Sequence, residues 1–104
     1  MDIQGVEQVD PATARRRQDA GIPLVDVREA YERDAAHIPG SLWVPLSTLA
    51  HRWTDLPDGP VILYCAVGAR SQQAAAFLRT QGRQAANLRG GIIAWAHAGL
   101  PVED

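Results

Sequence analysis

The chain has 104 residues, 46% hydrophobic and 21% charged, with a formal net charge of −2. That length predicts one domain over residues 1–104 built on a single core, and the slightly acidic balance gives no electrostatic footprint for nucleic acid. A single cysteine excludes an internal disulfide framework, no apolar run approaches the ~20 residues of a membrane span, and Met1-Asp2-Ile3-Gln4 lacks the regions of a secretory signal, so the expected location is cytoplasmic.

Strand-like and helix-like segments alternate along the chain. Asp10-Pro11 predicts a helix start, with Asp10 able to cap free N–H groups and Pro11 at a first-turn position that needs no donor. This helix carries Arg15-Arg16-Arg17, read as a solvated face, and stops at Gly21. A strand over 24–27, a short helix over 29–36, a strand over 42–44 and a helix over 46–53 follow, before the turn Pro57-Asp58-Gly59-Pro60. The β-branched and aromatic run Val61-Ile62-Leu63-Tyr64 predicts a buried strand. Beyond it come a helix to Gln81 burying Ala74, Phe77 and Leu78, a strand over 85–88 and a last helix over 92–98. Such alternation implies a mostly parallel sheet with helices on both faces, because parallel neighbours need crossover connections. Ligands then bind beyond the carboxyl ends of the strands.

Cys65 stands at such an end, in the run Cys65-Ala66-Val67-Gly68-Ala69-Arg70-Ser71 between strand and helix. A turn of this kind points successive backbone N–H groups into one small volume, the helix dipole presents its positive end, and Arg70 adds a full charge. All three favour thiolate over thiol, so Cys65 is the candidate nucleophile rather than a core hydrophobe. Asp26-Val27-Arg28 falls at another such strand end, on the same side of the sheet. Spacing alone leaves open which carboxylate meets which guanidinium.

Four segments occur in order: Val25-Asp26-Val27-Arg28-Glu29, His37-Ile38-Pro39-Gly40-Ser41, the cysteine run, and Gly90-Gly91-Ile92-Ile93-Ala94-Trp95. Together they resemble a single-domain rhodanese, from about Val6 to the Ala98-Gly99-Leu100-Pro101-Val102 tail. The resemblance implies an α/β fold with a mostly parallel five-stranded sheet and helices on both faces. It also implies sulfur transfer in two steps. The Cys65 thiolate takes a sulfane sulfur from a donor such as thiosulfate, and the persulfide passes it to cyanide or a thiol acceptor, which includes a sulfur-accepting protein such as thioredoxin. No cofactor, nucleic acid or membrane is involved. A sulfur-carrier or regulatory binding module with low turnover on small donors is the alternative.

Only four residues separate Cys65 from Arg70, where the related phosphatases and arsenate reductases have five. The shorter ring suits a single sulfur atom better than a tetrahedral phosphate. In this scheme the N–H groups of Ala66, Val67, Gly68, Ala69, Arg70 and Ser71 hold the persulfide. Arg70 has two open roles: a cation for the donor's sulfonate, or a structural ion pair with Asp26 or Glu29. Asp26, Arg28 and Glu29 are the supporting residues.

The histidines show no metal-ligand spacing, and His37 is expected to lock the turn before Pro39-Gly40. Trp43 and Trp95 are expected in the core or at its rim, Trp53 partly exposed, and Gly90-Gly91 close against the cysteine loop. The chain departs from the rhodanese pattern at Arg33, Ala36 and Arg83, all outside the loop.

Overall fold

A computed structural model describes residues 5–104, so the reading of Met1-Asp2-Ile3-Gln4 lies outside the described residues. In chain order the elements are β1 (Glu7–Val9), α1 (Pro11–Asp19), β2 (Leu24–Asp26), α2 (Ala30–Ala35), β3 (Leu42–Trp43), α3 (Leu49–Arg52), β4 (Val61–Tyr64), α4 (Ala69–Thr80), β5 (Ala85–Leu88) and α5 (Gly91–His97). The strands form one parallel sheet in the order β1-β5-β4-β2-β3. This is the expected α/β, rhodanese-like architecture.

Local chemistry explains most boundaries. The Thr13 N–H donates to Asp10 Oδ1 at 2.8 Å, Pro11 opens α1, and the chain leaves that helix through Gly21 at φ 102°. Strands β2, β4 and β5 are buried along their whole length, as a sheet covered on both faces requires. One face packs Val25, Val27, Leu63 and Cys65 against Ala74, Ala75 and Leu78 of α4. The other packs Leu24, Ile62 and Tyr64 against Ala14 of α1 and Ile92 and Trp95 of α5. Phe77 is half-buried rather than enclosed.

Two readings need correction. Strand β1 was not anticipated: Glu7 and Gln8 are exposed and only Val9 is buried, so the segment lacks a strand's apolar signature. Its strand character comes from pairing with β5, in the register Glu7↔Ala86, Gln8↔Asn87 and Val9↔Leu88. The helix expected over 46–53 is broken into a 3-10 turn at Leu46–Thr48, the four-residue α3 and a second 3-10 turn at Trp53–Asp55. His37 holds its own segment as expected, with Nδ1 3.3 Å from the Arg33 carbonyl, and it has a second role. It bridges to the C-terminal segment, exchanging backbone hydrogen bonds with Glu103 and placing Nε2 3.0 Å from Glu103 Oε1.

Asp26 anchors the end of β2. Fully buried, it accepts from Arg28 Nε and Nη2 at 3.0 Å each, from Arg33 Nη1 at 3.3 Å and from the Tyr64 hydroxyl at 3.3 Å. The Arg28 guanidinium also lies over the Tyr64 ring, 5.7 Å from its centroid. Tyr64 in turn receives the Ile38 N–H at 3.1 Å, which ties the His37-Ile38-Pro39 segment to β4. Arg33 and Arg83 therefore have structural work: Arg33 binds Asp26 and the Ser41 carbonyl, and Arg83 binds the carbonyls of Pro57 and Gly59.

Candidate active site

The chain leaves β4 at Cys65, turns through Ala66 and Val67, and enters α4 at Ala69 by way of Gly68 at φ 104°. A left-handed backbone there costs a glycine little. It lets the Gly68 N–H turn back onto Cys65 Sγ at 3.1 Å, and the Ser71 N–H approaches the same sulfur at 3.4 Å, as does the Ser71 hydroxyl. Cys65 itself is fully buried and free of disulfide. Burial alone would push its thiol up. The hydrogen bonds from the Ser71 side chain and from the N–H groups of Ser71, Gly68 and Val67 outweigh it and bring the thiol below its ordinary value.

The loop is backed by the start of α5. The Ile92 N–H donates to the Cys65 carbonyl at 2.9 Å and the Ile93 N–H to the Ala66 carbonyl at 3.2 Å. This approach requires Gly91, where a Cβ would overlap both the Ala66 and Cys65 carbonyls. The expectation for Gly90-Gly91 follows from that contact.

Arg70 does not meet Asp26 or Glu29. It grips Glu32 of α2 with two parallel bonds, Nη1 to Oε1 at 2.7 Å and Nη2 to Oε2 at 2.8 Å. Asp26 is occupied by Arg28 and Arg33, and Glu29 is exposed at the head of α2, where its own N–H donates to Glu32 Oε1 at 3.0 Å. Glu32 is thus the carboxylate that supports the loop, while Asp26 and Arg28 act one step behind it. Its helical position, three residues after Glu29, aims it across at α4, a direction that only the tertiary packing reveals.

A second unanticipated residue is Asn87, the single polar residue of buried β5. Its Nδ2 donates to the Gly68 carbonyl at 3.2 Å, and its Oδ1 accepts from the Ser71 hydroxyl at 2.6 Å. Beside it, on the β1 flank of the loop, opens a cleft of about 490 Å³ lined by Gln8, Gln72, Gln73, Arg89 and the loop residues Val67 to Ala69. Val67 stands 60% exposed at the loop apex. Among the described residues no cluster of histidine, cysteine and carboxylate side chains could hold a metal ion, and no helix is long and apolar enough to cross a membrane.

A parallel five-stranded α/β domain with a cysteine cradled between its central strand and the following helix defines a recognisable class. Residues 10–98 match the Rhodanese-like domain family, and the chain belongs to that family. It is 41% identical over 101 residues to a sulfurtransferase from Allochromatium vinosum, covering 93% of this chain and 94% of that protein. An HTH-type transcriptional regulator from Mycobacterium tuberculosis is 38% identical over 93 residues; the match takes in 86% of this chain but 41% of the regulator. Among solved structures, a rhodanese-related protein from Thermoplasma volcanium superimposes with a TM-score of 0.87 at 32% identity, covering 93% of this chain and 97% of that one.

Proposed function

We propose that the protein is a sulfurtransferase that works through a persulfide on Cys65. The observation that carries this reading is the cradle itself: Gly68 and Ser71 aim N–H groups at one sulfur at the end of the central strand. Such preorganised donors stabilise a sulfur anion without a proton acceptor of their own. The Cys65 thiolate attacks the sulfane sulfur of thiosulfate, the S–S bond breaks, and sulfite leaves with the bonding electrons. An acceptor then attacks the outer sulfur of the persulfide. Cyanide departs as thiocyanate, or a thiolate as its own persulfide, and the Cys65 thiolate is restored. A reducing compartment such as the cytoplasm keeps that thiolate available.

Arg70 is engaged by Glu32, whereas Arg89 lines the adjoining cleft, with Asp10 a charged neighbour, and offers a cation to an anionic donor or acceptor. The Allochromatium relative, matched along nearly its whole length, supports the enzymatic reading. The Mycobacterium relative, a transcriptional regulator of which the match covers 41%, supports the second one, a regulatory binding module.

Intact-mass measurement after mixing with thiosulfate tests the proposal. The wild type should gain the mass of one sulfur atom, lose it on adding cyanide, and Cys65→Ser should gain nothing. Unchanged mass with thiosulfate, polysulfide and mercaptopyruvate alike would overturn persulfide chemistry. Loading without steady-state turnover would leave the carrier reading standing.

A further inference from the structure

Asn87 lies behind the cysteine loop, buried at the end of β5, and its amide can face only one way. Nδ2 points at the Gly68 carbonyl at 3.2 Å, at Gln8 Oε1 at 2.9 Å and at Gln72 Oε1 at 3.1 Å. The Gly68 carbonyl is backbone and can only accept, so turning the amide over would set Oδ1 against it. Oδ1 therefore faces Ser71 Oγ, 2.6 Å away. Having no proton of its own, it must receive that of the hydroxyl.

A serine hydroxyl carries one proton, and Ser71 has two acceptors in reach: Asn87 Oδ1 at 2.6 Å and Cys65 Sγ at 3.4 Å. The shorter bond goes to Asn87. While Cys65 is a thiol, its sulfur meets the lone-pair side of Oγ. Only as an anion can the sulfur claim the proton, and then the Ser71–Asn87 bond is lost.

We propose that Asn87 is a positioning residue that competes with the Cys65 sulfur for the proton of the Ser71 hydroxyl. This deepens the sulfurtransferase reading, since it concerns the reactivity of the same cysteine. The competition leaves the sulfur anion less strongly bound than the loop alone would hold it. A thiolate with a less depressed pKa is intrinsically the better nucleophile, so Asn87 keeps Cys65 reactive rather than merely ionised. Among the charged groups around the loop, Arg70 shares a field with the cysteine, and Glu32 of α2 already pairs with it.

The test is a double-mutant cycle on the full chain with Ser71→Ala and Asn87→Ala, singly and together, read as the pH midpoint of iodoacetamide labelling of Cys65. Ser71→Ala should raise the midpoint in both backgrounds. Without Asn87 the rise should be larger by about 0.5–1 pH unit, the scale of one hydrogen bond, because the hydroxyl no longer has a competing acceptor. A purely structural Asn87, acting only by holding Gly68, would shift both backgrounds alike. Zero coupling therefore overturns the proposal. Should Asn87→Ala fail to fold, Asn87→Val suits a strand, offers no acceptor and serves as the second background. Labelling reads the thiol and not sulfur transfer, so absent persulfide formation with the coupling intact would strike the sulfurtransferase reading alone.

Discussion

Arg70, in the first turn of α4, and Glu32, in α2, join the cysteine loop to α2 through two parallel hydrogen bonds of 2.7 and 2.8 Å. A planar guanidinium matches a carboxylate in this way and an ammonium does not. The pair is partly buried, with Glu32 more enclosed than Arg70. It braces the entrance to α4, and with it the N–H groups that face Cys65.

Arg70→Lys should consequently lower stability by about 1 kcal/mol and slow sulfur loading from charged and uncharged donors to the same degree. Arg89→Gln should behave differently, leaving stability intact while raising KM for thiosulfate more than for an uncharged donor. Denaturant titration together with kinetics on both donors checks the pair. A selective loss of thiosulfate affinity in Arg70→Lys would return the donor-binding role to Arg70.

Glu32 links the same contact to pH. The Arg70 hydrogen bonds, opposed by burial and aided by the Glu29 N–H, hold its carboxyl down to about 2 from an ordinary 4.5. A depressed carboxyl stabilises the fold fully above its unfolded pKa, and that stabilisation fades as pH falls from about 4.5 towards about 2. Glu32→Gln should therefore be less stable than wild type at neutral pH and lose less on acidification through this window. Urea denaturation at several pH values gives both curves; identical slopes would remove Glu32 as the titrating group.

Gly91→Ala tests the backing of the loop. Its Cβ would overlap the Ala66 and Cys65 carbonyls, which are backbone and cannot swing aside, at a residue whose φ is already +63°. A cost of about 2–3 kcal/mol is expected. Because the displaced groups flank Cys65, labelling of the thiol should also slow. Wild-type stability in this variant would mean that α5 shifts freely, contrary to its hydrogen bonds with the loop.

Much of the fold was legible because its signals are local. The buried strand β4 reads as a β-branched and aromatic run, Asp10 and Pro11 as a helix start, and Cys65 as the hinge between a strand and a helix, each visible within a few adjacent residues. The sequence by itself determined where the sulfur stands and which backbone surrounds it, since an apolar strand, a glycine and a helix start constrain one another at close range. Strand β1, with Val9 its only buried residue, exists through its partner β5. The choice of Glu32 over Asp26 and Glu29 for Arg70 depended on how α2 packs beside α4, and the reach of Asn87 to Ser71 on the register of β5 beside the loop. These decisions belonged to the tertiary structure alone, because a hydrogen bond between residues 38 or 16 positions apart is set by the geometry of two packed elements, which no local run of residues encodes.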